Sequence, residues 1–218
     1  MNDEPMTRRP LKSRDTDWAR GMAQWLAGHG ISPNQISLLS VVNAGIAAMA
    51  LVGAGWVEPF EQGMLFLVAA VFIQLRLLCN LFDGMVAIEG GFRTKSGELW
   101  NEVPDRFSDA LICVGAGYTI PASADVQWLG WLAAVLSVIT AYIRALGGSV
   151  GASQAFDGPM AKPQRMAWLT AGCVVMAMFE FLGLKINLMP PLLGLISMGC
   201  LVTIARRIRR IFNELESK

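Results

Sequence analysis

The sequence predicts an all-α polytopic membrane protein with about six transmembrane helices and an amphipathic N-terminal helix in the membrane interface. Apolar residues make up 54% of the chain against 16% charged, which does not suit a soluble domain of this length. They gather in continuous runs rather than alternating, so helices are predicted and a barrel is not. Lys and Arg flank these runs on one side of the membrane far more than on the other.

Taken in order, residues 1–34 form a cytoplasmic arm. Within it, Trp18, Met22, Trp25 and Leu26 recur at helical spacing with Arg20 on another face. That pattern suits a helix lying at headgroup level, or one packed on the protein's own surface. Gly28 to Gly30 ends it, and Ser32-Pro33-Asn34 starts the next helix. Residues 35–206 are the transmembrane domain. Its apolar runs are 36–55, 63–79, 110–121, 128–146, 166–181 and 188–205, and crossing hydrocarbon takes about 20 helical residues. The third run is short and is expected to extend back to about Asp105. Residues 207–218 form a basic cytoplasmic tail.

Charge sets the orientation. Arg8, Arg9, Lys12, Arg14 and Arg20 precede the first run; Arg206, Arg207, Arg209, Arg210 and Lys218 follow the last. Arg93, Lys95, Lys162 and Arg165 fall in connections on the same side, while the opposite connections hold Glu58, Glu61, Asp125 and a single cation, Lys185. Both termini are therefore expected in the cytoplasm, and Trp56, Trp128 and Trp131 at the far interface. Basic segments beside spans point to anionic lipid headgroups, with no nucleic-acid partner. Cys79, Cys113, Cys173 and Cys200 lack metal-type spacing and read as buried thiols. His29 is the only histidine, which excludes a relay of several histidines. The N-terminus shows no signal-peptide pattern.

Residues 80–110, NLFDGMVAIEGGFRTKSGELWNEVPDRFSDA, hold most of the chemistry. Asn80, Asp83, Gly84 and Ala87 share one helix face; Asn101, Asp105 and Asp109 share another, with Glu98 and Glu102 nearby. A hairpin of these two helices brings oxygen ligands together at the membrane surface, where ionisable groups are costly and usually functional. Carboxylate and amide oxygens suit Mg2+, Mn2+ or Ca2+ rather than zinc or copper. A plainer account stands beside this one: Asn101 caps a helix with Pro104 in its first turn, Glu102 and Arg106 form an i,i+4 pair, and Asp83-Gly84 is a turn.

The segment resembles the signature of the CDP-alcohol phosphotransferase family, D-x2-D-G-x2-A-R-x8-G-x3-D-x3-D. Asp83, Gly84, Ala87, Gly97 and Asp105 match in register, and Arg106 and Asp109 match a common extension. ISPNQISLLS before the first run and GPMAKPQRM at 158–166 are similar to family segments. Asn80 and Asn101 stand where the family has aspartates, and Ile88 where it has arginine. The resemblance implies displacement at phosphorus: an alcohol acceptor attacks a CDP-linked donor such as CDP-diacylglycerol, and CMP leaves. It implies a Mg2+ or Mn2+ site drawn from Asp83, Asp105, Asn80, Asn101, Asp109 and Glu102, with Asp105 as ligand or base. Gly84, Ala87 and Gly97 would line the cytidine pocket, and Arg144, Lys162 and Arg165 would meet anionic groups of substrate. Arg76 serves equally well as an anion ligand or as a snorkelling anchor. A homodimer in a bacterial inner membrane is also implied. The departures at 80, 88 and 101 support a second reading, a catalytically silent lipid- or nucleotide-binding protein of the same fold. A channel or transporter rests only on the number of spans, without inverted repeats or interrupted helices.

Overall fold

The computed structural model describes residues 16–92, 96–119 and 124–217. Among these residues there are helices and no strand: α1 (Asp17–Gly28), α2 (Pro33–Ala54), α3 (Pro59–Glu89), α4 (Gly97–Gly117), α5 (Ala124–Ser149), α6 (Lys162–Phe181) and α7 (Met189–Glu216). The chain is an integral membrane protein. By length and composition, α2, α3, α5 and α7 are apolar enough to cross a bilayer. Each of the six expected runs falls on one of α2 to α7. Arg8, Arg9, Lys12, Arg14, Arg93, Lys95 and Lys218 lie outside the described residues.

Helix α1 packs on the protein's own surface, as one of its two sequence-based readings has it. Ala19 and Ala23 are buried against α3, while Trp18 and Trp25 are each 55% exposed and available to a headgroup layer. Trp18 also meets the Phe82 ring edge-on, at a centroid separation of 5.8 Å. Helix α2 begins as the sequence predicts: Ser32 Oγ accepts from the Gln35 amide at 3.3 Å, and the Ser32 amide donates to Gln35 Oε1 at 2.8 Å. This reciprocal cap, with Pro33 in the first turn, satisfies two otherwise orphaned donors.

Three helices differ in extent from expectation. Helix α3 runs unbroken through Asp83-Gly84 to Glu89, so the turn reading there fails. Helix α4 starts at Gly97, not near Asp105, which puts Asn101 and Pro104 inside it and removes the capping role for Asn101. Helix α7 continues past Arg207 to Glu216.

The expected α3–α4 hairpin is also not a close-packed pair. Helix α2 packs along both α3 and α4, which touch each other only sparsely; α6 lies on α3, α5 on α4, and α7 on α5. Phe66, Ile73, Ile112, Leu169, Leu193 and Ile196 fill the shared core. Backbone meets backbone where α4 crosses α5. A Cβ on Gly130 would stand 2.7 Å from the Cys113 carbonyl, and one on Gly117 would stand 2.8 Å from the Gln127 carbonyl. Small residues permitting such approach are a usual device for joining helices in lipid. Cys79, Cys113, Cys173 and Cys200 are buried free thiols, as expected.

Candidate functional site

At one end of the bundle, the start of α2, the last turns of α3, the first half of α4 and the start of α6 converge. Helix α4 offers Glu102, Asp105 and Asp109 on adjoining turns. Asp109 is buried and bidentate in its pairing: Oδ1 accepts from Arg76 Nη2 at 2.6 Å, and Oδ2 accepts from Arg165 Nη2 at 2.6 Å. Asp105 repeats this arrangement one turn earlier. Its Oδ1 lies 3.4 Å from Arg76 Nη2, and its Oδ2 is held by the Lys162 ammonium. Glu102 accepts from Arg106 on its own helix and Arg144 on α5, both at 2.5 Å. Arg144 also lies over the Phe156 ring, 5.2 Å from its centroid, in cation–π contact.

The α3 face sits beside this network. Asp83 is buried, with Oδ2 accepting from Ser37 Oγ at 2.9 Å, and it lies within electrostatic reach of Asp105 and Lys162. Asn80 Oδ1 accepts from Ser40 Oγ at 3.0 Å. Gly84, Ala87 and Gly97 are half-buried, while Asn101 is exposed. Nothing is described for the Glu98 side chain. The sequence-predicted residues brought together are thus Asn80, Asp83, Glu102, Asp105, Asp109, Arg144, Lys162 and Arg165; Asn101 stands outside the buried cluster.

Arg76 is not a snorkelling anchor. Its side chain is 0% exposed and bridges Asp105 and Asp109. The clue in the sequence is its spacing: Arg76, Asn80 and Asp83 lie on one face of α3. Ser37 and Ser40, one turn apart on α2, were also missed as site residues, although polar positions in an apolar helix mark an inward stripe.

These donors do not fit a pair of divalent cations. A hard cation takes about six oxygen ligands, with free carboxylates foremost among them. Here both oxygens of Asp105 and of Asp109 already face cationic side chains. Among the described residues no group of three or more His, Cys, Asp or Glu is placed to hold a metal.

The fold is that of a known enzyme of lipid synthesis. The phosphatidylinositol phosphate synthase PgsA1 of Mycobacterium tuberculosis, in its crystal structure with CDP-DAG bound, matches with a TM-score of 0.72 and 19% identity, over 90% of this chain and 94% of that one. The same enzyme in complex with manganese and citrate gives a TM-score of 0.71 and 19% identity, covering 89% of this chain and 88% of that one. In sequence, the chain is 25% identical to the inner membrane protein YnbA of Escherichia coli K12 over 141 residues, 65% of this chain and 66% of YnbA, just under two thirds of its length. An uncharacterized protein of Aquifex aeolicus is 26% identical over 216 residues, 98% of each chain. No protein-family model matches.

Proposed function

We propose that this protein is a membrane transferase of the CDP-alcohol phosphotransferase type, moving a phosphatidyl group from CDP-diacylglycerol to an alcohol. The observation that carries this reading is the convergence of Asp83, Asp105 and Asp109 with Arg76, Lys162 and Arg165 at one end of the bundle. It is supported by a fold shared with an enzyme crystallised with CDP-DAG. The reaction is a displacement. The acceptor hydroxyl oxygen bonds to the lipid-side phosphorus, the bond from that phosphorus to the CMP oxygen breaks, and the hydroxyl proton passes to the Asp105 carboxylate. Lys162, held against Asp105, meets the charge that grows on the phosphoryl oxygens. Asp109 fixes Arg76 and Arg165 so that their guanidinium groups face the site in one orientation. Gly84, Ala87 and Gly97 leave room for the cytidine, and Arg144 is held by Glu102 at the rim. Mg2+ or Mn2+, which the family resemblance implies, enters no step because the donor set does not fit a metal pair. The protein works as a homodimer in the bacterial cytoplasmic membrane, with both termini and the site on the cytoplasmic side.

The test is CMP release by purified protein in nanodiscs containing CDP-diacylglycerol, against a panel of alcohols. Release with at least one alcohol, lost in Asp105→Asn, is the expected result. The amides at 80 and 101 favour a second reading, a silent donor-binding protein. CDP-diacylglycerol binding without CMP release from any alcohol would establish that reading instead.

A further inference from the structure

Fixed positive charge already exceeds negative charge in the cluster. Among the described residues, the carboxylates of Asp83, Glu102, Asp105 and Asp109 face the cations of Arg76, Arg106, Arg144, Lys162 and Arg165. The excess sits at the rim, on Glu102. Around Asp83, Asp105 and Asp109 the three cations already balance the three carboxylates, so two divalent ions there would create an excess where like charges repel most strongly. The unfilled hydrogen-bonding capacity has the same sense. Arg76 Nε and Nη1, Arg165 Nε and Asn80 Nδ2 are buried donors without partners, against a single carboxylate acceptor, Asp83 Oδ1. Unpaired buried donors are costly, and an oxygen-rich anion relieves them whereas a metal ion cannot. One free oxygen on Asp83, with an amide at 80, falls far short of a divalent-cation shell.

We infer that the Lys162 ammonium, seated on Asp105 and backed by Arg76 and Arg165, replaces the divalent cations of metal-dependent enzymes of this fold, so that the protein meets a diphosphate without bound metal. Asn80 belongs to the same exchange: with the counter-charge carried on side chains, a carboxylate there has no cation to neutralise. The inference concerns metal uptake, so it stands or falls separately from turnover.

Mn2+ binding to the full chain in nanodiscs, read from the loss of the free-ion signal in electron paramagnetic resonance, decides it. Wild-type protein should take up no more Mn2+ than empty nanodiscs up to about 1 mM, the weak end of oxygen-ligand sites. Asn80→Asp with Lys162→Met should bind Mn2+ at a concentration at least tenfold below that limit, with thermal unfolding checking that the variant is folded. If CMP release is observed, it should persist in excess EDTA. One or more Mn2+ ions bound to the wild type at micromolar concentration, or release abolished by EDTA and restored by Mn2+, would overturn the inference. Should no alcohol yield CMP, the transferase reading fails while the wild-type titration still decides the metal question.

Discussion

Asp109 is buried and takes one guanidinium on each oxygen, from Arg76 on α3 and Arg165 on α6. Removing one partner of such a buried pair leaves a charge without compensation, typically at a cost of about 3–5 kcal/mol. Asp109→Asn strands both guanidiniums and should destabilise the protein by about that amount in detergent unfolding, whereas Arg165→Met leaves Asp109 paired with Arg76 and should cost less. Arg106 pairs with Glu102 at the rim, half-exposed to solvent, and Arg106→Ala should cost under about 1 kcal/mol in the same measurement. Asp83 and Asp105 were legible from their register with Gly84 and Gly97. Their partners were not, because Ser37, Arg76 and Lys162 are joined to them only by packing between helices. Arg76 shows the limit: one-dimensional spacing puts it on the right face of α3 but cannot tell solvent from a facing carboxylate.

The helices themselves were largely readable, since continuous apolar runs leave few alternatives. The start of α4 was not. Pro104 reads as a first-turn residue, yet the helix begins about two turns earlier at Gly97. The sparse contact between α3 and α4 was equally hidden, because nothing along the chain announces that α2 lies along both. Where α4 and α5 cross, Gly117 and Gly130 allow backbones to touch. Gly130→Leu should force them apart and destabilise the protein by about 1–3 kcal/mol or more, measurable by unfolding in detergent. On α1, Trp18 and Trp25 face outward. Replacing both with serine should speed amide hydrogen exchange across residues 17–28 in nanodiscs while leaving exchange in α2 unchanged.

At the scale of the molecule, the charged residues crowd one end of the bundle, while Trp56, Trp128 and Trp131 stand exposed among the elements expected at the other. Cysteines introduced as Thr16→Cys and Ser217→Cys should resist an impermeant maleimide in right-side-out vesicles, whereas Trp56→Cys should react. The native thiols are buried and should give little background. Labelling of either terminal position from outside would reverse the orientation given above.

The double pairing of Asp109 also bears on how the chain enters the membrane during synthesis. Helix α4 emerges carrying several acids, and the Arg76 already delivered on α3 answers part of that charge. Arg165 and Lys162 arrive only with α6, after α5 has been made. A nascent chain halted at residue 160 thus holds Asp109 and Asp105 against a single guanidinium. Until the ribosome supplies the sixth helix, α4 has reason to sit shallow and to be handed to an insertase or a quality-control protease.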